Sequence, residues 1–253
     1  MDTPSQGGRD AGKKHSGVIE MNDLYSLLRT QVYSGRGIIL GTTPSGKVAV
    51  AYFIMGRSAS SRARVFERKG DELVIKYTAD KAPEHGELII YSPIRLIGNH
   101  VIVTNGDQTD TVYEGLRLGG SFESALQTRC FEPDPPHFTA RISGLVTIEN
   151  GVPSYELSVL KAGDPEGRTC VRNFFRYENA QGLAHYIHTY MGGSEVLKTF
   201  SGEPWEVNVP DDIDGFTDTI WNGINEDNKV ALYVRFADPA TGLYEDRLIN
   251  KYE

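Results

Sequence analysis

The sequence predicts an α+β protein in which short strands, joined as hairpins, are interrupted by a few helices. Turn residues separate strand-like runs, as in GIILGTT-PSGK-VAVAYFIM near the start and KVALYVRF-ADPATG-LYEDRLI at the end. Helix-like stretches stand between groups of strands rather than after each strand, unlike the regular order of a parallel sheet. The 253 residues suffice for a sizeable core, and no stretch resembles a linker, which favours one domain, residues 21–253.

Local patterns predict the elements in chain order. NDLYSLLRTQ predicts a first helix, and the hairpin of residues 37–55 follows it. ELVIKYTA, ELIIYS, IRLIG and HVIVT predict short strands, and two helices separated by Gly119-Gly120 are expected before Phe131. RISGLVTIE, SYELSVLKA and CVRNFFRYE predict a second set of strands. AQGLAHYIHTYMG and DDIDGFTDTIWNGI predict further helices, and a hairpin closes the chain.

Composition excludes several classes of function. The chain is 39% hydrophobic and 24% charged, as is usual for a soluble protein. Its formal net charge of −8 disfavours general binding to nucleic acid or to an anionic membrane, so an anionic ligand requires a local basic pocket. No apolar stretch approaches the ~20 residues that span a bilayer. Residues 1–20 lack the apolar centre of a signal peptide, and we expect a disordered leader on a cytoplasmic protein.

The cysteines and histidines predict no metal site. Cys130 and Cys170 do not form a CxxC pair, so neither a zinc site nor a thioredoxin-like site is expected. Two buried thiols in a reducing compartment are favoured, while a single disulfide stays open. His185 and His188 are three residues apart without an evident third ligand.

The strongest local feature is the basic loop GRSASSRAR, Gly56 to Arg64, which follows an apolar strand. Its three arginines stand among serines, and in an extended stretch Arg62 and Arg64 point to the same face. Guanidinium and hydroxyl groups donate well to phosphate oxygens. The loop therefore indicates a phosphate site, and the alternative is a solvated loop whose arginines pair with surface carboxylates.

A second candidate is VTNGDQTD, residues 103–110, where β-branched residues run into the Asn-Gly dipeptide of tight hairpins. A helix-like pattern follows instead of a second strand. Asn105 offers an amide and Gly106 a close backbone approach, and the side chains of Asp107, Gln108 and Thr109 come next. The alternative is an ordinary helix start, with the N-cap at Thr109 or at the aspartate after it.

Two further stretches carry chemistry. YSPIRLIGN places Tyr91 at a strand end, where a buried tyrosine usually anchors its hydroxyl to the backbone. CFEPDPPHFTARIS holds Glu132, Asp134, His137 and Arg141 on a loop stiffened by prolines. A carboxylate on such a loop suits general acid–base chemistry, although the stretch is equally compatible with a plain connection. The sequence contains no GxSxG, P-loop or HExxH motif.

Taken in order, these stretches resemble the archaeal-type IMP cyclohydrolase family. The resemblance rests on YSGRGIILG, AYFIMGRSASSR, YSPIRLIGNHVIVTNGDQTDTV and FEPDPPHFTARI, and it extends from about Tyr33 to Ile148. It implies a four-layer αββα sandwich like that of the N-terminal-nucleophile hydrolases, without a processed nucleophile. It also implies closure of the purine ring: the formamide of 5-formamidoimidazole-4-carboxamide ribotide condenses with the neighbouring carboxamide, giving IMP and water without a cofactor.

The resemblance also implies the site residues. The family's catalytic arginine, tyrosine and glutamate fall on Arg62, Tyr91 and Glu132. Tyr91 would donate a proton to the formyl oxygen, Glu132 would orient or deprotonate the carboxamide, and Arg62 would stabilise the developing charge. Substrate binding is assigned to nine residues, of which Arg36 and Arg57 would hold phosphate or base: Arg36, Arg57, Ser58, Asn105, Gly106, Asp107, Gln108, Thr109 and Arg141.

Two departures from the family pattern leave alternatives open. Gly56 stands where a serine is expected, and the part from about residue 163 is longer and less recognisable than in archaeal members. The alternatives are a purine-nucleotide-binding protein without turnover, and an amidohydrolase of the same fold that uses Cys130 as nucleophile. The expected partners are a small purine nucleotide and further copies of the chain in a homo-oligomer, with neither nucleic acid nor membrane.

Overall fold

Two antiparallel sheets form the framework of this α+β protein. The computed structural model describes residues 23–78, 90–192 and 197–252. The expected leader, residues 1–20, lies outside the described residues, as do residues 87–89 of the predicted strand ELIIYS.

The first sheet has six strands in the order β11-β10-β1-β2-β12-β13: β1 (Arg36–Thr42), β2 (Val48–Met55), β10 (Leu183–His188), β11 (Trp205–Asn208), β12 (Lys229–Ala237) and β13 (Tyr244–Asn250). β2 is buried along its whole length because it lies between β1 and β12 and packs on both faces. The sequence of such a strand is a continuous apolar run, without the alternation of apolar and polar residues seen in strands that have one face in solvent. The four strands β10 to β13 come from the part of the chain beyond residue 163, so that part completes this sheet.

The second sheet has seven strands that neighbour one another in chain order: β3 (Arg64–Lys69), β4 (Glu72–Tyr77), β5 (Ile94–Ile97), β6 (His100–Thr104), β7 (Arg141–Glu149), β8 (Val152–Ala162) and β9 (Cys170–Tyr177). The turn between β7 and β8 is Asn150-Gly151, and both residues have positive φ, 53° and 78°. Asn and Gly tolerate this backbone region, which tight hairpins require. The hairpins predicted from turn residues are therefore confirmed at β1–β2, β7–β8 and β12–β13.

Helices cover the outer face of each sheet. α1 (Leu24–Thr30) and α5 (Ile213–Gly223) pack on the first sheet, where Phe216 and Ile220 bury against apolar side chains of β2 and β12. α3 (Gln108–Arg117) and α4 (Phe122–Leu126) pack on the second sheet. Between the sheets lies a third apolar cluster, which gives the protein a continuous core. None of the described helices is both long and apolar enough to cross a bilayer.

Three expectations of local structure are wrong. AQGLAHYIHTYMG contains strand β10 rather than a helix, because a strand buried on both faces has an apolar pattern that a helix shares. GRSASSRAR is not extended: a capping box between Ser58 and Ser61 starts a short helix, α2 (Ala59–Arg62). Arg62 and Arg64 therefore do not share a strand face. Residues 90–92 of ELIIYS lie outside any strand.

Candidate active site

A buried ion pair connects the two sheets at one end of the molecule. Arg36 begins β1 in the first sheet, and its Nη2 lies 3.9 Å from Oε1 of Glu132, which precedes β7 in the second sheet. The two side chains are only 11% and 5% exposed. Burial raises the pKa of Glu132 above its ordinary value, and the charges of Arg36 and Arg141 offset this effect only in part. The carboxyl group of Glu132 therefore binds a proton more tightly than an exposed glutamate does.

The loop before β7 fixes the position of Glu132. The backbone N–H of Glu132 donates to the carbonyl of Thr139 at 2.8 Å, which closes the loop on itself. The carboxylate of Asp134 accepts the backbone N–H of Thr139 at 2.7 Å. The hydroxyl of Thr139 also contacts that of Tyr190, beyond β10. Asp134 thus stabilises the loop through hydrogen bonds, and the loop holds Glu132 close to Arg36.

Two phenols lie beside this pair. The hydroxyl oxygens of Tyr52, in the middle of β2, and Tyr91, before β5, are 2.6 Å apart. Tyr52 is fully buried and Tyr91 is 8% exposed. Burial raises the pKa of Tyr52 well above its ordinary value, so its hydroxyl keeps its proton. The charge of Arg36 acts on both phenols, which places the four side chains in one electrostatic environment.

A second set of charges surrounds Gly106. Nη1 of Arg141 donates to Oε1 of Gln108 at 2.7 Å and lies 2.6 Å from Oδ1 of Asp107. Burial opposes ionisation of Asp107, but the guanidinium groups of Arg129 and Arg141 lower its pKa, so it stays a carboxylate. A Cβ atom at Gly106 would lie 2.6 Å from Nη1 of Arg141 and 3.5 Å from Oε1 of Glu132. Only glycine allows this close approach to both charged groups.

The polar side chains at the end of β6 have partners inside the protein. Oδ1 of Asn105 accepts the backbone N–H of Ile142 at 2.9 Å, and Nδ2 donates to the carbonyl of Ala140 at 2.8 Å. The hydroxyl of Thr109 lies 2.6 Å from that of Thr104. Helix α3 begins at Gln108 with Asp107 as its N-cap residue, two residues before Thr109, the first of the two expected N-caps. Asn105 and Thr109 therefore hold the strand end and the helix start in place.

The basic loop, Gly56 to Arg64, is partly exposed. Nε of Arg62 donates to the carbonyl of Gly56 at 3.0 Å. The guanidinium carbon of Arg57 lies 4.8 Å from the ring centroid of Tyr33, which stacks on Tyr190 at 5.9 Å. Ser58 caps α2. The hydrogen bonds of Arg62 and Ser58 thus stay within the basic loop. Arg57 contacts the ring of Tyr33, which stacks on Tyr190, and Tyr190 contacts Thr139 in the loop that carries Glu132.

The sequence places Arg64 in the basic loop that indicates a phosphate site, but it assigns this arginine no role of its own. Its side chain is buried, and its charge acts on Arg36, Tyr52 and Tyr91. Burial, reinforced by the charge of Arg36, lowers the pKa of Arg64. The available signal was the alternation in RVFERK, which places Arg64 on the same inward face as Phe66.

Four buried side chains of this site keep polar atoms without a hydrogen-bond partner among the described residues: Arg36 Nε, Arg64 Nη1, Glu132 Oε1 and Arg141 Nε. Buried polar atoms are almost always hydrogen-bonded in folded proteins. A group of three donors and one acceptor in one region therefore indicates a site for a polar ligand.

His185 and His188 are both buried on strand β10. Nδ1 of His185 is 2.6 Å from the hydroxyl of Tyr155, and burial lowers the pKa values of His185 and His188 to about 4. Within the described ranges, no group of three or more His, Cys, Asp or Glu side chains is placed to hold a metal ion. The expectation of two buried thiols is wrong, because Cys130 lies exposed in the turn after α4 and Cys170 is half-buried.

The fold is thus an α+β sandwich of two antiparallel sheets, with a cluster of buried charged side chains between them. The chain belongs to the family described as IMP cyclohydrolase-like protein, whose family model matches residues 33–242. This match confirms the resemblance seen in the sequence and extends it well into the C-terminal part.

Individual relatives are similar over shorter segments. The chain is 32% identical to the IMP cyclohydrolase of Methanococcus aeolicus over 95 residues, which are 38% of this chain and 47% of that protein. It is 30% identical to the IMP cyclohydrolase of Methanococcus maripaludis strain S2 over 129 residues, 49% of this chain and 63% of the relative. It is 28% identical to the IMP cyclohydrolase of Methanopyrus kandleri over 106 residues, which are 42% of this chain and 52% of that protein. The chain thus spans between about half and just under two thirds of these relatives.

Proposed function

We propose that this protein is an IMP cyclohydrolase, which closes the purine ring of 5-formamidoimidazole-4-carboxamide ribotide to IMP with loss of water. The observation that carries the proposal is the buried Arg36–Glu132 pair beside the Tyr52–Tyr91 phenols, with unpaired polar atoms on Arg36 and Glu132. Membership of the IMP cyclohydrolase-like family supports the same reaction.

The chemistry needs only groups that this site contains. Both reacting groups are attached to one imidazole ring, so the protein has to fix their rotamers and need not bring two molecules together. The carboxamide nitrogen attacks the formyl carbon, a C–N bond forms, and the carbonyl electron pair moves to the oxygen. Glu132 accepts the proton that the nitrogen loses, and Tyr91 donates a proton to the oxygen.

Dehydration completes the ring. Glu132 returns its proton to the hydroxyl group, which leaves as water, and the formamide nitrogen passes its proton to the Tyr91 oxygen as the C=N bond forms. Both protein groups thereby return to their starting states, and the substrate has lost one carboxamide proton, one formamide proton and the formyl oxygen as water. Tyr52 remains protonated and holds the Tyr91 hydroxyl in place, because its own pKa is raised by burial.

We assign roles in this reaction to the remaining candidate residues. Arg62 stabilises negative charge on the formyl oxygen, while Arg36 and Arg57 hold the base or the phosphate. The substrate-binding residues at the end of β6 are Asn105, Gly106, Asp107, Gln108, Thr109 and Arg141, and Ser58 holds the basic loop.

The proposal includes the finer features of the fold. The helices on the outer faces of two packed sheets support a four-layer αββα sandwich of the N-terminal-nucleophile-hydrolase type, without a processed nucleophile. We further propose a single domain over residues 21–253 that works in the cytoplasm as a homo-oligomer.

The deciding experiment is turnover of the purified protein. The ribotide is incubated with wild-type chain and IMP formation is followed by absorbance; we expect conversion without an added cofactor. Tight binding of IMP without conversion would instead identify a nucleotide-binding protein. Cys130→Ala serves as the control for an amidohydrolase, because Cys130 is exposed: full activity and an unprocessed intact mass are expected. Loss of turnover in Cys130→Ala would contradict the proposed mechanism.

A further inference from the structure

Arg64 has an unusual environment for a charged side chain. It is only 2% exposed. Its Nε donates to the carbonyl of Ser61 at 2.8 Å and its Nη2 to the carbonyl of Met55 at 3.0 Å. Both partners are neutral, so they fix the orientation of the guanidinium without matching its charge. Nη1 has no hydrogen-bond partner among the described residues and remains available as a donor.

Arg36 shares this environment. Its Nε is also unpaired, and within the described ranges its ion-pair partner is Glu132 at 3.9 Å, beyond hydrogen-bonding distance. In the first sheet Arg36 pairs with Ile54, the neighbour of Met55, whose carbonyl accepts the hydrogen bond from Arg64. The charges of the two arginines also act on each other and on the hydroxyls of Tyr52 and Tyr91. Both arginines therefore lie in the same region between the sheets.

The charges in this region do not balance among the described residues. Two permanently charged guanidinium groups face at most one carboxylate, Glu132, whose burial favours its neutral form. The next carboxylate, Asp107, lies 2.6 Å from Arg141 and 2.5 Å from Arg129, so it is shared by two other arginines and does not offset the charges of Arg36 and Arg64. Burial of a cation without a counter-charge is costly, so a site of this kind is built to receive negative charge.

We propose that Arg36 and Arg64 together form a binding site for a compact anionic oxygen group of the ligand. The identity of that ligand rests on the proposed function. The ribotide has two groups of this chemistry: its phosphate, and the formyl oxygen that becomes negative during attack. Guanidinium groups suit either, because each N–H donor of their planar fork can contact an oxygen directly.

The test uses the full chain with Arg64→Gln, which removes the charge, and Arg64→Lys, which keeps it. Arg68→Gln is the matched control, because Arg68 lies on the same strand with a 47% exposed side chain that pairs with Asp246. Affinities for IMP and for inosine, which lacks the phosphate, are measured by calorimetry. Turnover numbers and KM values are measured with the ribotide.

Two different sets of results would support the site, and each would identify the group of the ligand that binds there. If the anion is the phosphate, Arg64→Gln weakens IMP binding about tenfold or more and leaves inosine binding unchanged. If it is the formyl oxygen, Arg64→Gln lowers kcat about tenfold or more and leaves both affinities unchanged. Arg64→Lys recovers part of the loss in either case, and Arg68→Gln matches wild type. Wild-type kcat and wild-type IMP affinity in Arg64→Gln would overturn the inference.

A measurement on the wild-type chain keeps the inference testable if Arg64→Gln does not fold. At low millimolar concentration, where general salt effects on stability are small, inorganic phosphate should raise the melting temperature more than chloride at the same ionic strength, because an anion that binds only the folded state stabilises it. Equal melting temperatures in the two salts would count against the site. If phosphate or IMP binds through Arg64 but the wild type makes no IMP, the proposed function fails and the anion site stands.

Discussion

The hydroxyl groups of Tyr52 and Tyr91 form a 2.6 Å hydrogen bond across the two sheets, although 39 positions separate these residues in the chain. Tyr52 lies on a central strand and cannot reach solvent. Tyr91 is next to Arg36 and keeps slight exposure. The buried phenol therefore orients the one that faces the site.

Removing the Tyr91 hydroxyl tests its role as proton donor. We expect Tyr91→Phe to lower kcat about tenfold or more, the usual scale for one acid–base group, and Tyr52→Phe to lower it less because its role is positioning. Each should lose about 1 kcal/mol of unfolding free energy with its hydrogen bond. Tyr155→Phe, which removes a buried phenol bonded to His185, is the control that should lose stability but keep kcat. Wild-type kcat in Tyr91→Phe would contradict the assignment.

The raised pKa of Glu132 predicts how activity depends on pH. As a general base Glu132 must be ionised, so turnover should rise as pH increases through its raised pKa. Glu132→Gln should lower kcat about tenfold or more and remove this acidic limb from the pH profile. A variant that keeps the wild-type profile would show that another group titrates.

The same group affects stability in a defined direction. Because the folded state binds the Glu132 proton more tightly than the unfolded chain does, its contribution is most favourable below the unfolded carboxyl pKa of about 4.3. It should decline as pH rises from there to the raised folded-state pKa. Urea unfolding across this window should show a decline in wild type that Glu132→Gln lacks; parallel curves would contradict the pKa shift.

Gly106→Ala probes the close approach at the end of β6. Its Cβ would lie 2.6 Å from Nη1 of Arg141 and from Oε1 of Gln108, so one of these groups must move. We expect kcat/KM to fall about tenfold or more because displaced binding groups lose their geometry. Gly119→Ala is the control: nothing lies near its Cβ, and its positive φ costs about 1 kcal/mol of stability without loss of activity. Equal activity in both variants would rule out a role for Gly106.

Arg62→Ala separates a catalytic from a structural role for this arginine. As stabiliser of the developing charge, Arg62 should contribute about tenfold or more to kcat at unchanged KM. If it only secures the carbonyl of Gly56, the variant should lose thermal stability and keep kcat. Melting temperature and steady-state kinetics of the same preparation decide between the two.

The sequence predicted the hairpins and four of the helices because turn residues and helix periodicity are local signals. It did not predict that His185 lies on a strand, because β1, one of the two neighbours of β10, is far away in the chain. The resemblance indicated Glu132 as a site residue, and its partner Arg36 is close only in the folded protein. Arg64 was expected on an extended loop, and its burial was not predicted because it depends on the carbonyl of Met55 and on the opposite sheet.

The position of β2 has a consequence for synthesis of the chain. One edge of this apolar strand pairs with β1, which is made just before it. The other edge pairs with β12, which begins only at Lys229. A nascent chain thus carries an open, strongly hydrophobic strand edge from the synthesis of β2 until β12 is made, and such edges promote association between chains. We therefore expect the nascent chain to be most prone to aggregation in this interval, before β12 emerges from the ribosome.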